Sequence, residues 1–376
     1  MSKIIQLKIA GYTSIFLDAV RLLASLLVVA FHARDQWIPS QAITPTNNSI
    51  DWAHAGVIIF FVLSGYVISY TTGINSRGPL QYSKARLSRL TSMVLPALVI
   101  TAIVEITISL VSPELKAEYT RGISWPRYLI SSLFLNEAGF MSAAPPVNGP
   151  LWSLSYEFWY YVLFGLFIFG KSNLKSFAII VVAALVAGPK ILLMMPIWIA
   201  GCLAFKKHIN FKNSKTGWLL SAALFGCTIL AIAFVPRLPE ALGGKPFYFS
   251  NQFLSDYIIG FFFASALIVM PFHVPGISVK EFSTKFRTIA DLTFPIYVLH
   301  HPLLILWRAV VGYHPESKTE MVFAIVMSTV VAALIGIWLE NLRGIWSKQI
   351  DKLFDAAKGF YTSIKSSYLR TRREKA

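Results

Sequence analysis

The first apolar segment of the chain, near 14–33, places ionisable residues on one helix face. Arg21 and His32 are eleven positions apart, so at about 100° per residue they come within about 20° of eclipsing each other. Asp18 and Ser25 fall on the same side, and Asp18 stands at ion-pair spacing from Arg21. Ionisable groups in a membrane helix mark functional sites, and an imidazole has the chemistry of a general base or a nucleophile. The alternative is structural: an Asp18–Arg21 ion pair and an interfacial histidine bonded to a carbonyl.

Arg86 and Arg89 form a second motif, just before the apolar run that begins near residue 91. At i, i+3 their planar guanidinium groups share one helix face. That geometry suits a phosphorylated ligand such as the nucleotide of coenzyme A. Ordinary positive charge at the cytoplasmic end of a span is the alternative.

Glu157 lies about 10 Å into the helix predicted to start at Pro150. The predicted helix begins on the outer side of the membrane, and His32 lies toward that same side. We therefore expect the side chains of Glu157 and His32 to contact each other. A carboxylate that orients or charges an imidazole is a recurring catalytic device. A structural contact from Glu157 to an arginine or a tyrosine is the alternative.

Two further motifs lie within apolar segments. Gly65, beside Ser64, allows a second helix to approach closely. His300 and His301 are consecutive and point about 100° apart, so they cannot face one site equally. Since no His or Glu stands one turn away, we expect no metal site.

The composition assigns these motifs to membrane helices. Of the 376 residues, 55% are hydrophobic and only 14% are charged, whereas soluble domains carry about a quarter charged residues. Apolar runs approaching the roughly 20 residues of a span predict an all-α integral membrane bundle of about ten transmembrane helices. The fifth and sixth runs, broken at Gly188-Pro189, form either two spans or a re-entrant pair. The predicted spans lie near 14–33, 53–72, 91–112, 150–169, 176–188, 191–205, 217–235, 255–273, 289–310 and 320–342.

The basic residues follow membrane topology, although the net charge is +16. With a cytoplasmic N-terminus, the predicted cytoplasmic segments hold 24 of the 34 Lys and Arg residues, and the opposite loops hold 8. This bias is what the positive-inside rule expects, so we predict that both termini are cytoplasmic and that the chain binds no nucleic acid. Cys202 and Cys227 lie in apolar segments and offer no disulfide framework.

Two regions are predicted along the chain: a transmembrane domain at 1–342 and a basic amphipathic cytoplasmic tail at 343–376. In the tail, Trp346, Ile350 and Leu353 recur at spacings of three and four with lysines between them. That pattern is typical of a helix on an anionic leaflet. The outer loops are too short for a globular domain, so we expect the chemistry to lie among the helices.

Together the motifs resemble those of the acyltransferase-3 family of bacterial integral membrane O-acyltransferases, which modify lipopolysaccharide O-antigen, capsule, Nod factor and peptidoglycan. The resemblance covers most of residues 14–342. Its parts follow one another along the chain as Leu17-Asp18-Ala19-Val20-Arg21, the Arg21-to-His32 spacing, Phe60-Phe61-Val62-Leu63-Ser64-Gly65-Tyr66, Arg86-x-x-Arg89, Trp152-Ser153-Leu154-Ser155-Tyr156-Glu157 and Tyr297-x-x-His300-x-Pro302.

The resemblance implies a role for each matching residue. His32 would be the catalytic histidine, with Arg21 as its partner in handling acyl-CoA. The remaining roles would be donor binding by Arg86, Arg89 and Ser64, essential polar groups at Glu157 and His300, and structural support from Asp18, Trp152, Ser153 and Tyr297.

The chain departs from many relatives at two positions. Ile58 stands where they have an acid after Gly-Val, and Phe158 stands where they have a second acid after the glutamate. A mechanism that relied on either acid would not apply here. The hydrolase-like C-terminal domain fused to some relatives is also not expected in this chain.

The resulting hypothesis is a multi-pass enzyme of the bacterial inner (cytoplasmic) membrane. It would move an acyl group, usually acetyl in the family, from cytoplasmic acyl-CoA to a hydroxyl of a cell-envelope or exported glycan or glycolipid. His32 would act as general base or carry the acyl group transiently. Acyl-CoA, the glycan acceptor and membrane lipids are the expected partners, and a homo-oligomer is compatible with the sequence.

Two rival interpretations come from other classes of protein. Buried Arg, Glu and His residues also mark substrate paths and proton relays, as in a transporter or flippase of polysaccharide intermediates. No inverted repeat supports that interpretation. A non-catalytic scaffold would leave the motifs without a purpose.

Overall fold

The computed structural model describes residues 9, 11–41, 51–74, 78–209, 211–239, 245–272 and 280–374. Within these ranges the chain folds into α-helices joined by turns and short 3₁₀ segments, with no β-strand. In chain order the helices are α1 Tyr12–Trp37, α2 Trp52–Ile74, α3 Pro79–Val111, α4 Pro113–Tyr119, α5 Ser124–Ser132, α6 Trp152–Phe169, α7 Leu174–Ala187, α8 Pro189–Lys206, α9 Ser214–Phe234, α10 Phe253–Val269, α11 Lys280–Asp291, α12 Thr293–Val310 and α13 Lys318–Glu374.

Seven helical stretches in the described part of the chain are long and apolar enough to cross a membrane. The remaining three predicted spans are the apolar helices α6, α7 and α10, of 18, 14 and 17 residues. The all-helical architecture of a multi-pass membrane protein is thus confirmed. The count of ten spans and the cytoplasmic location of both termini stay predictions.

Helices α2 and α8 pack backbone to backbone through two glycines. A Cβ atom on Gly65 would overlap the carbonyl oxygen of Trp198, and one on Gly201 would overlap that of Val62. Only glycine allows this separation at both positions. The close approach predicted at Gly65 is confirmed. It fixes the position of the neighbouring Ser64 relative to α8.

The boundary between α7 and α8 lies at Gly188, where the sequence predicted a break. Gly188 has a φ of +85°, and a Cβ there would overlap the backbone of Gly139. The Gly139 N–H donates a 3.0 Å hydrogen bond to the carbonyl of Ala187. The loop before α6 is therefore seated on the α7–α8 junction.

A buried ion pair fastens the same loop to α8. Lys190 Nζ lies 2.5 Å from Oε2 of Glu137, and both side chains are fully buried. Lys190 also donates to the carbonyl of Met141, and Ser142 donates to Glu137. Every charge in this pair is met by an opposite charge and further hydrogen bonds, as burial requires.

Helix α13 carries the last predicted span and the basic tail as one continuous helix. Asp351, beyond the span, lies 2.7 Å from Lys84 near the start of α3. The tail therefore packs against the bundle at this point. The division at residue 342 and the place of the tail on a leaflet stay predictions.

Candidate active site

Helices α1, α2, α3, α6 and α12 enclose a cavity that contains most of the residues singled out from the sequence. Its apolar lining comes mainly from α2, where Val57, Phe60 and Leu63 contribute. The polar lining residues are Arg21, Ser64, Arg86, Arg89, Ser153, Glu157, Tyr161, Thr293 and Tyr297.

Three guanidinium groups and one carboxylate give the cavity its charge. Arg21 comes from α1, Arg86 and Arg89 come from α3, and Glu157 comes from α6. The guanidinium carbon of Arg86 lies 6.0 Å from the centre of the Tyr161 ring. The shared helix face predicted for Arg86 and Arg89 is confirmed, and the excess of positive charge suits an anionic ligand.

Glu157 is held within the cavity by two hydroxyl groups. The hydroxyl of Ser64 on α2 donates a 2.7 Å hydrogen bond to Oε1, and the hydroxyl of Tyr161, one turn along α6, donates to the same oxygen. Trp198 Nε1 in turn donates to Ser64 at 3.2 Å. These bonds replace the contact with His32 that the sequence predicted, since α6 turns Glu157 toward α2 and the arginines. The alternative glutamate–tyrosine contact is the one observed.

Asp18 forms the predicted ion pair with Arg21, at 3.6 Å on α1. A second cation, Arg287 on α11, lies 3.5 Å from the other Asp18 oxygen and donates a 3.0 Å hydrogen bond to Ser14. Asp18 thus joins the cavity arginine to α11. Helical spacing does not predict this contact of Arg287, because Arg287 and Asp18 lie on different helices.

His32 and His300 form a pair that links α1 to α12. His32 Nδ1 lies 3.0 Å from His300 Nε2, and the rings stack with centroids 5.1 Å apart. His301 meets His32 only edge-on, at 5.5 Å, and its Nδ1 bonds the carbonyl of Val147 at 2.9 Å. The two consecutive histidines therefore contact His32 unequally, as their helical spacing indicated.

Tyr297 stands between the cavity and the histidine pair. Its ring lines the cavity, lies 5.7 Å from Phe60 and lies 5.9 Å from the ring of His300. Its hydroxyl is joined to Ser153 Oγ at 2.6 Å and to the carbonyl of Pro150 at 3.1 Å. These bonds anchor the tyrosine to the start of α6, in keeping with the support roles predicted for Tyr297 and Ser153.

Trp152, the other predicted support residue, belongs to a buried aromatic stack. Its indole ring lies 4.4 Å from Phe249 and 5.7 Å from His54, nearly parallel to both. His54 Nε2 is 3.0 Å from Asp256, a buried pair that the sequence analysis missed. Nothing in helical spacing relates positions 54 and 256, which lie on separate helices.

Among the residues that the structure describes, no three His, Cys, Asp or Glu side chains are placed to hold a metal ion. His32 and His300 direct ring nitrogens at each other rather than at a common point.

Comparison with known proteins decides the family. A family model for an acyltransferase domain matches residues 14–339, from the start of α1 into α13. The chain belongs to the acyltransferase-3 family. Every residue that lines the cavity, and both histidines of the pair, lie inside the matched range. The resemblance drawn from the motifs is therefore confirmed.

One curated relative supports the same conclusion for this acyltransferase-3 protein. An O-acetyl transferase of Shigella phage Sf6 is 25% identical over 331 residues, which cover 83% of this chain and 91% of the phage protein. No solved structure matches the chain. Acyltransferase-3 membership makes the protein a membrane acyltransferase and argues against the transporter and scaffold interpretations.

Proposed function

We propose that this membrane acyltransferase moves an acetyl group from acyl-CoA, bound from the cytoplasm, to a hydroxyl of a cell-envelope or exported glycan. The bacterial inner membrane is its proposed location. The observation that carries the proposal is that Tyr297 contacts both an arginine-lined cavity and a histidine pair within one bundle. The first suits an anionic donor, and the second suits proton transfer from an acceptor.

The donor would occupy the cavity. Arg86 and Arg89 offer planar donors to the phosphates of coenzyme A, and Arg21 extends the same positive field along α1. The apolar wall suits the uncharged pantetheine arm. Glu157, fixed by Ser64 and Tyr161, offsets part of this positive charge and presents an acceptor to amide N–H groups of that arm.

The transfer step uses His32 as general base. A glycan hydroxyl gives its proton to His32 as its oxygen attacks the thioester carbonyl, so that a C–O bond forms. The C–S bond then breaks, and the proton passes from His32 to the leaving sulfur, which departs as free coenzyme A. Atoms and charge balance without a further reactant.

The acetyl group and the glycan acceptor have separate support. Acetyl is favoured because the phage relative is an O-acetyl transferase. A glycan or glycolipid acceptor follows from the family resemblance, with membrane lipids as surroundings and a homo-oligomer as a compatible state.

The decisive experiment uses inverted membrane vesicles that carry the full-length protein, supplied with radiolabelled acetyl-CoA. We expect label in the glycan fraction, matched by release of free coenzyme A, and none with His32→Ala at equal protein level. A flippase would leave acetyl-CoA unconsumed. Mass spectrometry of surface glycans from cells with and without the gene would then identify the acceptor by its acetyl increment.

A further inference from the structure

The His300 ring is anchored at both of its nitrogens. His300 Nδ1 lies 2.6 Å from the carbonyl oxygen of Tyr297, one turn earlier on α12, and His300 Nε2 lies 3.0 Å from His32 Nδ1. A carbonyl oxygen can only accept a hydrogen bond, so Nδ1 of His300 carries a proton. The position of one proton in the pair is thereby fixed by the backbone.

The charge state of His300 fixes the second proton. Its side chain is fully buried, and its ring contacts are with Tyr297, His32 and His301, none of which supplies a negative charge. An isolated charge at such a place is disfavoured, so the ring is neutral. A neutral ring protonated at Nδ1 has a bare lone pair at Nε2, which must accept from His32.

The backbone that carries this anchor is itself held in place. Pro302 has no N–H, so the carbonyl of Val298 lacks its usual partner within α12. Asn148 fills that gap, because its Nδ2 donates a 3.0 Å hydrogen bond to Val298. It also donates to Thr101 Oγ1 on α3 at 3.0 Å. The segment around His300 is therefore tied to two other parts of the bundle.

Resting on the proposed function, we infer that His300 is a positioning residue which fixes the tautomer of His32. His32 Nδ1–H donates to His300, so the lone pair of His32 stays on Nε2. His32 remains partly exposed while His300 is fully buried, so Nε2 of His32 is the nitrogen that meets the acceptor hydroxyl. A proton taken from the acceptor goes to Nε2 and returns from it to the sulfur of coenzyme A, while His300 keeps its own proton throughout.

Three substitutions at one position test this assignment. The side-chain carbonyl of His300→Gln reaches the place of Nε2 and can still accept from His32. His300→Asn is long enough only to reach the place of Nδ1, and His300→Leu offers no acceptor. We expect His300→Gln to keep kcat within about tenfold of wild type, and the other two to lose about 10²-fold or more, the scale of a misplaced general base. The KM for acetyl-CoA should stay within about twofold, since His300 does not line the donor cavity.

The outcomes separate positioning from other roles. A His300→Gln protein as slow as His300→Leu, with the same melting temperature, would show that His300 must transfer a proton, and would overturn the inference. A His300→Asn protein near wild-type rate would overturn it too. His301→Asn is the matched control and should lose less than His300→Asn, because His301 meets His32 only edge-on. If His301→Asn lost as much activity as His300→Asn, the loss would reflect general damage to the site and would contradict the inference. Failure of the proposed function looks different: wild type would transfer no acetyl group, or His32→Ala would be as active as wild type.

Discussion

Ser64 on α2 and Glu157 on α6, 93 residues apart in sequence, share a 2.7 Å hydrogen bond inside the cavity. The backbone contact of Gly65 with Trp198 sets the position of α2, and Trp198 also donates to Ser64. The orientation of the carboxylate therefore depends on the glycine contact between α2 and α8.

Removing the Ser64 hydroxyl should loosen Glu157. We expect Ser64→Ala to lower kcat/KM for acetyl-CoA about tenfold, because a hydrogen bond to a carboxylate contributes about 1.5–3 kcal/mol. Steady-state kinetics on purified protein measures the effect. The control is Ser69→Ala on the same helix, because Ser69 is buried but does not line the cavity. This variant should have the same kcat/KM for acetyl-CoA as wild type.

The arginine pair should act on the phosphates of the donor. We expect Arg86→Ala to raise KM for acetyl-CoA about tenfold or more, since charge-assisted hydrogen bonds contribute about 1.5–3 kcal/mol. With acetyl-pantetheine, which has no phosphate, the variant and wild type should have the same KM. Lys84→Ala is the control, because Lys84 pairs with Asp351 and does not line the cavity. An equal rise in KM with both donors would contradict phosphate recognition.

Tyr297 should keep water away from the thioester. Replacing its ring by a methyl group in Tyr297→Ala joins the cavity to the space around the histidines, so we expect acetyl-CoA hydrolysis to rise relative to glycan acetylation. Tyr297→Phe keeps the ring and loses the bonds to Ser153 and Pro150, so its hydrolysis should stay near the wild-type level. Coenzyme A release measured against label in glycan gives the ratio. If the ratio of coenzyme A release to glycan label were the same in Tyr297→Ala as in wild type, Tyr297 would not be what keeps water from the thioester.

The buried ion pair between Glu137, in the loop before α6, and Lys190 on α8 should be essential for stability. Lys190→Met leaves Glu137 buried without its partner, which typically costs about 3–5 kcal/mol, so the melting temperature in detergent should fall sharply. The double variant Glu137→Gln with Lys190→Met removes both charges and should recover part of the loss. If the double variant were less stable than the single one, the unpaired charge would not be the cause.

Local patterns predicted what lies along one helix. The Asp18–Arg21 pair, the shared face of Arg86 and Arg89, and the glycine contact at Gly65 all follow from helical geometry or residue size. The break at Gly188 follows from backbone conformation in the same way. Each of these predictions uses residues within one turn or at one boundary, where the chain itself fixes the spacing.

Relations between helices could not be predicted in this way. We predicted from the sequence that Glu157 contacts His32. In the structure Glu157 is instead hydrogen-bonded to Ser64, and His32 is hydrogen-bonded to His300. Which helix a face meets depends on packing through glycine seams and loop anchors, and no periodicity connects positions 32 and 300. The Arg287 contact with Asp18 was missed for the same reason.

The position of Tyr297 has an evolutionary consequence. Under the proposed function, Tyr297 separates the site that recognises a universal metabolite from the site that meets an acceptor, and acceptors differ from one cell surface to another. Mutations around the histidines would then redirect the enzyme to a new sugar without changing the arginine-lined cavity. We expect chimaeras that exchange only the outer half of the bundle to inherit a new acceptor and keep the old donor.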